Sequence, residues 1–201
     1  MSTVLLIRHG LCDPVGKSIA GRSPGIHLDL RGRRQARVLA EALAGLPIAA
    51  VYSSPLERAR ETAMPLAGKL RLPVKISPGL EELDYGEWTG RTLTSLAGDP
   101  AWQQFNVSRA ATRIPGGETM AEVVQRAARS VADMGAEYPG TIVAAVTHGD
   151  VIRALLATWA RMPLDHMLHL EVAPGSASAV RFTPEVHLLV VNWLPDVGAA
   201  L

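Results

Sequence analysis

Val4-Leu5-Leu6-Ile7-Arg8-His9-Gly10 sets a short apolar run directly ahead of a guanidinium, an imidazole and a glycine. The arrangement recurs. Ile48-Ala49-Ala50-Val51-Tyr52 leads into Ser53-Ser54-Pro55-Leu56-Glu57-Arg58, and Ile142-Val143-Ala144-Ala145-Val146 leads into Thr147-His148-Gly149. Runs this short and apolar read as strands buried on both faces of a parallel sheet. Ligands of such sheets bind beyond the carboxyl ends of the strands, near a switch in strand order. Two histidines and two arginines are therefore expected at one sheet edge, a charge set suited to a phosphoryl group.

Outward from these runs, strand and helix patterns alternate over nearly the whole length, which predicts one α/β domain over residues 1–201 with a mostly parallel sheet. A Gly/Pro/Ser-rich loop spans Asp13 to His27, and Asp29 is the expected N-cap of a helix through Leu43. Its apolar face is Ala36, Leu39, Ala40 and Leu43, and Gly45 and Pro47 stop it. Pro55 is expected to open a second helix that carries Arg58 to about Leu70, with a break or kink at Pro65. Val74-Lys75-Ile76 reads as a short strand. The pattern weakens over residues 78–114, as expected for an inserted cap or lid. Thr119 and Glu122 form a capping box ahead of a helix to about Glu137, and Asp150 is expected to cap a helix through Trp159. Ala177–Phe182 and Val186–Asn192 read as two closing strands around Thr183-Pro184-Glu185.

The bulk numbers narrow the function classes. The chain has 201 residues, 48% of them hydrophobic and 19% charged, as ordinary globular domains do. No apolar run approaches the ~20 residues of a membrane span. No basic stretch precedes the first apolar run, which argues against a signal peptide. The single cysteine, Cys12, cannot form an internal disulfide and fits a reducing cytoplasm, the expected location. A net charge of +1 without a dense basic block makes nucleic acid and anionic membranes poor partners. A homodimer remains open.

The chemistry begins at Arg8-His9-Gly10. A neutral, oriented histidine can attack phosphorus, and a neighbouring guanidinium fork can hold the phosphoryl oxygens during in-line transfer. Gly10 would let backbone approach the phosphate closely. His148 repeats the arrangement, with Gly149 opening a helix whose N-terminal amides suit an anion. Arg58, read alone, is a solvated residue on a first helical turn, so the conjunction of three strand–helix junctions carries the case.

The ordered series of motifs resembles the histidine phosphatase superfamily, with its phosphoglycerate-mutase-like fold. It comprises Arg8-His9-Gly10; Leu28-Asp29-Leu30-Arg31-Gly32-Arg33-Arg34-Gln35-Ala36; Ser53-Ser54-Pro55-Leu56-Glu57-Arg58-Ala59; and Leu80-Glu81-Glu82-Leu83-Asp84-Tyr85-Gly86-Glu87-Trp88-Thr89-Gly90. Pro115-Gly116-Gly117-Glu118-Thr119 and Thr147-His148-Gly149-Asp150-Val151-Ile152-Arg153 complete it. The resemblance implies a three-layer α/β/α sandwich. It also implies that His9 is the phosphorylated nucleophile, that Arg8, Arg58 and His148 bind the phosphoryl group, and that Glu82 is the acid/base, with no metal and no organic cofactor. Chemistry agrees on Glu82, because an alkoxide leaves poorly without a general acid and a nearby phosphate raises a carboxyl pKa.

The chain departs from the family after the first motif. Leu11-Cys12-Asp13-Pro14-Val15-Gly16 lacks the asparagine that many members carry there, so Arg22 becomes a candidate phosphate contact, with a solvent-facing role as the alternative. Trp88 and Trp102 either line a pocket or only pack. The expected activity is hydrolysis of a small phosphorylated metabolite through phosphohistidine. A cofactor-primed phosphomutase is the alternative, disfavoured because the span from Glu82 to His148 is short. An inactive phospho-ligand-binding module is remote, since all five expected catalytic residues are present. A metal-dependent hydrolase is weaker still, because Arg8 and Arg58 would repel a cation.

Overall fold

The structure, a computed structural model, describes residues 1–195. Six strands form one sheet: β1 (Ser2–Arg8), β2 (Ile48–Ser53), β3 (Val74–Ile76), β4 (Ile142–Thr147), β5 (Ala177–Phe182) and β6 (Val186–Trp193). Their order is β3-β2-β4-β1-β5-β6. The first four are parallel and the last two antiparallel. The three motif-bearing strands are thus neighbours, with Arg8 beside Thr147 and Ser53 beside Val146.

Alternation along the strands decides which helix covers which face. Leu5, Ile7, Val51, Ala144 and Val146 pack with α1 (Leu30–Leu43) and α2 (Glu57–Leu70). Val4, Leu6, Ala50, Val143 and Ala145 pack with α5 (Met120–Glu137) and α6 (Gly149–Trp159). The result is the three-layer sandwich. Residues 78–114 carry two single 3₁₀ turns, Pro78–Leu80 and Gly86–Trp88, and two short helices, α3 (Leu93–Leu96) and α4 (Pro100–Val107). Leu80, Leu83, Trp88, Leu96 and Phe105 from this stretch are fully buried in the core on the α5/α6 side.

Local signals behave as short-range physics requires, with three corrections. Asp29 caps α1 by accepting the Gly32 N–H at 2.7 Å, and the Thr119–Glu122 capping box is present. Asp150, however, does not cap α6. Strand β4 stays extended through His148, which takes the N-cap position, and Asp150 lies inside the first turn with its carboxylate turned to Tyr85 and Arg153. Helix α2 begins at Glu57 rather than Pro55, because Leu56 is still extended. It then runs unbroken through Pro65. Proline removes one N–H, and the buried Thr62, Ala63, Leu66 and Ala67 hold the helix against the sheet.

Gly10 meets another glycine, Gly32. A Cβ at Gly10 would stand 2.6 Å from the Gly32 carbonyl oxygen, and one at Gly32 only 2.0 Å from that of Leu11. The chain leaving β1 therefore lies directly against the first turn of α1, backbone on backbone. Alanine in a helix ordinarily gains about 1 kcal/mol over glycine. At Gly32 the clash should reverse the sign, and Gly32→Ala is expected to lose about 1–3 kcal/mol in denaturant unfolding. A variant as stable as the wild type would rule the close approach out.

Candidate active site

The strand ends open into a cavity of about 330 Å³ lined by Arg8, His9, Arg58 and Glu82, with Tyr85, Trp102, Arg109, Asp150 and Arg153 around them. Its flank is apolar, formed by Ile19, Leu93 and Leu168, and Cys12 lines it too. His9 follows β1 and donates from Nδ1 to the Gly10 carbonyl at 2.7 Å. That bond assigns the ring hydrogen to Nδ1 and leaves the Nε2 lone pair unprotonated. Burial, together with Arg58 and Arg8, lowers the His9 pKa to about 3, so the ring is neutral at ordinary pH.

His148 is fully buried behind His9, the two rings 5.2 Å apart and edge to face. Its Nε2 lies 2.8 Å from Ser54 Oγ, which also accepts the Leu56 N–H. With the Ser54 hydroxyl donating to Nε2, the His148 hydrogen lies on Nδ1, which has no partner among the described residues. Burial and then Arg58 hold this ring neutral as well, well below the usual imidazole range.

The two arginines are held by backbone. Arg8 donates from Nη1 to the Val172 carbonyl at 2.6 Å, and Arg58 from Nη2 to the Gly21 carbonyl at 2.7 Å. Arg58 is only 1% exposed. Arg8 Nε and Arg58 Nε and Nη1 have no partner among the described residues. Among the described residues neither guanidinium is bonded to a carboxylate, and burial lowers the pKa of both. Buried, under-bonded cations are costly until an anion arrives, so the pocket is organised for one. The Gly149 Cα supports it by leaving room, since a Cβ there would stand 3.2 Å from the Arg8 guanidinium.

Glu82 projects from the turn after Leu80 and accepts the Leu83 N–H at 2.9 Å. Burial, followed by the nearby Asp150 carboxylate, raises its pKa to about 7, against the pull of Arg58 and Arg8. Its main chain is clamped: Arg126 donates to the carbonyls of Gly79, Glu81 and Glu82, and Arg22 donates to that of Glu82 at 2.9 Å. Arg22 also pairs with Glu118 at 2.8 Å, as does Arg126 at 2.9 Å. This corrects the expectation for Arg22. Its guanidinium is committed to the Glu82 turn and does not line the cavity, because three carboxylates, Glu81, Asp84 and Glu118, surround it.

The structure thus brings Arg8, His9, Arg58 and Glu82 to one cavity, with His148 and Gly149 immediately behind and Arg22 elsewhere. Of the tryptophans, Trp102 lines the cavity and Trp88 packs in the core. Sequence reading passed over Ser54, Glu118, Tyr85, Asp150, Arg109, Arg126 and Arg153 as functional residues. Ser54, Tyr85, Glu118, Asp150 and Arg153 lie within the recognised motifs, which was signal enough. Arg109 and Arg126 sit in no motif.

The family model described as histidine phosphatase superfamily (branch 1) matches residues 4–193. Glucosyl-3-phosphoglycerate phosphatase of Mycobacterium tuberculosis is 32% identical over 211 residues, covering 98% of this chain and 94% of that protein. A bifunctional protein of the same organism is 36% identical over 180 residues, and this chain spans about half its length, 48%. Among solved structures, the mycobacterial glucosyl-3-phosphoglycerate phosphatase with VO3 superimposes with a TM-score of 0.84 at 30% identity, over 94% of this chain and 98% of that one. The alpha-ribazole phosphatase of Shigella flexneri gives 0.84 at 29% identity, over 95% and 96%.

A protonated carboxyl with a pKa of about 7 sets a pH limb. Below that pH Glu82 carries its proton; above it the proton is lost, so any step needing it should slow tenfold per pH unit. His9 stays neutral down to about pH 3 and adds no limb near neutrality. Single-turnover phosphorylation by an alkyl phosphate should therefore fall above about pH 7, and Glu82→Gln should remove that fall. A fall that survives the substitution would assign it to another group, such as the substrate phosphate itself.

Proposed function

The chain belongs to the histidine phosphatase superfamily, and from that premise we propose that it is a metal-independent phosphomonoesterase acting on a small phosphorylated metabolite. The observation that carries the reading is a neutral His9, its Nε2 free, beside two buried guanidinium groups to which no carboxylate is hydrogen-bonded among the described residues. The relative solved with VO3 held an oxyanion, the kind of ligand such a pocket would attract. The same cations make the pocket unfavourable for a metal ion.

In this reading His9 Nε2 attacks phosphorus in line, and the bond from phosphorus to the ester oxygen breaks. Glu82 gives its proton to the departing oxygen, so the product leaves as a neutral alcohol. Arg8 Nε and the free nitrogens of Arg58 receive the equatorial oxygens, and His148 Nδ1–H donates to the transferred group. The Gly10 carbonyl keeps the Nδ1 proton of His9 in place as the ring acquires positive charge. Glu82, now a carboxylate, takes a proton from water, whose oxygen attacks phosphorus and breaks the N–P bond. Phosphate leaves, and His9 and Glu82 return to their starting states. Residues 78–114 serve as the cap over this pocket, within a single domain.

Turnover quenched in alkaline denaturant should trap a protein-bound phosphate that is alkali-stable and acid-labile, and His9→Ala should lack it and lose several orders of magnitude in rate. Equal turnover by the variant would sink the mechanism. Scoring free phosphate against isomer with 3-phosphoglycerate separates hydrolysis from mutase chemistry.

Arg58→Ala should cost about 10²–10³-fold in kcat, as removal of one preorganised donor does. Arg58→Lys should recover only part, because an ammonium lacks the planar set of donors. Full activity in Arg58→Ala would exclude Arg58 from the reaction.

A further inference from the structure

Two cations in this pocket have no part in phosphoryl transfer: Arg153, which pairs with Asp150, and Arg109, which keeps free donors. Arg109 follows α4, is 4% exposed, and lines the same cavity as His9. Its guanidinium is fixed on two sides: the carbon stands 4.5 Å above the Phe105 ring, and Nη2 donates to Asn106 Oδ1 at 2.6 Å. The following residue is anchored too, its N–H donating to Asp165 Oδ1 at 2.8 Å. Nε and Nη1 have no partner among the described residues.

Asp150 feels the charge of Arg109 and then of Arg153, but its hydrogen bonds go to the Tyr85 hydroxyl and to Arg153 at 3.4 Å, and Asp165 holds the Ala110 amide. Among the described residues no carboxylate is hydrogen-bonded to Arg109. A rigid, buried guanidinium with two free donors in a ligand cavity calls for an anion from outside. Arg8 and Arg58 come from the strand-end junctions and already supply donors for one phosphoryl group. Arg109 comes from the 89–114 excursion and has no part in that step.

We propose that Arg109 is a specificity-determining residue that binds a second anionic group, a carboxylate or a second phosphate, on the substrate. The proposal rests on the phosphomonoesterase reading and narrows its substrate class to compact, doubly anionic phosphomonoesters. The apolar flank of Ile19, Leu93 and Leu168 would then cover the short carbon chain between the two charged ends.

Three substrates of similar size test it: glycerol 3-phosphate, 3-phosphoglycerate and propane-1,3-diol bisphosphate. The wild type should favour one of the last two over the first in kcat/KM, and which one identifies the second anion. Arg109→Met should shrink that ratio about ten- to a hundredfold, the usual worth of a buried charge-assisted hydrogen bond, with most of the change in KM. Arg109→Lys should restore part of it. A ratio unmoved by Arg109→Met, or equal losses on all three substrates, would overturn the subsite and leave Arg109 with the phosphoryl group or the fold. The wild type alone gives an independent reading: 3-phosphonopropionate should inhibit nitrophenyl phosphate hydrolysis more strongly than propylphosphonate, and equal inhibition would also overturn the proposal. No hydrolysis of nitrophenyl phosphate or of the three esters would instead remove the phosphomonoesterase reading, and the subsite with it.

Discussion

Arg58 lies almost wholly buried, with one nitrogen on the Gly21 carbonyl and two without a partner, and no carboxylate is bonded to it. A charge in that condition is unfavourable in the free protein. The surrounding structure holds it there regardless. Thr62, one turn along α2, accepts the Gly10 N–H and donates to the Arg58 carbonyl, tying the helix that carries the arginine to the loop that carries His9. Gln35 ties the same loop to the Pro174 carbonyl. The electrostatic cost of these under-bonded charges becomes affinity for an anion, and burial, aided by the same charges, keeps both histidines neutral.

Parallel pairing is what makes three sequence-distant junctions one site. With β4 between β2 and β1, the chain leaves each strand on the same side of the sheet. Antiparallel neighbours would have sent alternate junctions to opposite ends. β5 and β6 are antiparallel and contribute no group from the junction set; they extend the sheet beyond β1. Chemistry and topology are divided along the strand order.

Glu82 answers to a different constraint. It stands on a turn rather than a strand end, and a carboxyl kept near pKa 7 needs a fixed place beside Asp150 and the arginines. Arg126 supplies that fixity by binding three carbonyls of the turn, with Glu118 and Arg22 closing the network around it. These residues act on the acid through backbone, so substitutions there would misplace Glu82 without touching a phosphate.

The strand runs and the helix caps at Asp29 and Thr119 were legible in the chain alone, from period and capping geometry. His9, His148, Arg8 and Glu82 stood out as candidates through the order of the family's motifs, and the fold brings them together. Boundaries set by competition were not legible. Pro65 reads as a helix breaker, yet the packed face of α2 overrides one lost hydrogen bond. Asp150 reads as a cap, yet Tyr85 and Arg153 claim its carboxylate. Arg58 reads as solvated when taken alone and is in fact buried, while Arg22 reads as either a phosphate contact or a solvent-facing side chain and is held by Glu118 and the Glu82 carbonyl. Arg109 gave no signal at all, because its meaning lies in two donors that find no partner among the described residues once the cavity has formed. Short-range physics determined the strands, the helix caps and the strand-end placement of the candidate residues; tertiary structure decided which cations are spent on carboxylates and which keep free donors, since ion pairing depends on distances no periodicity records.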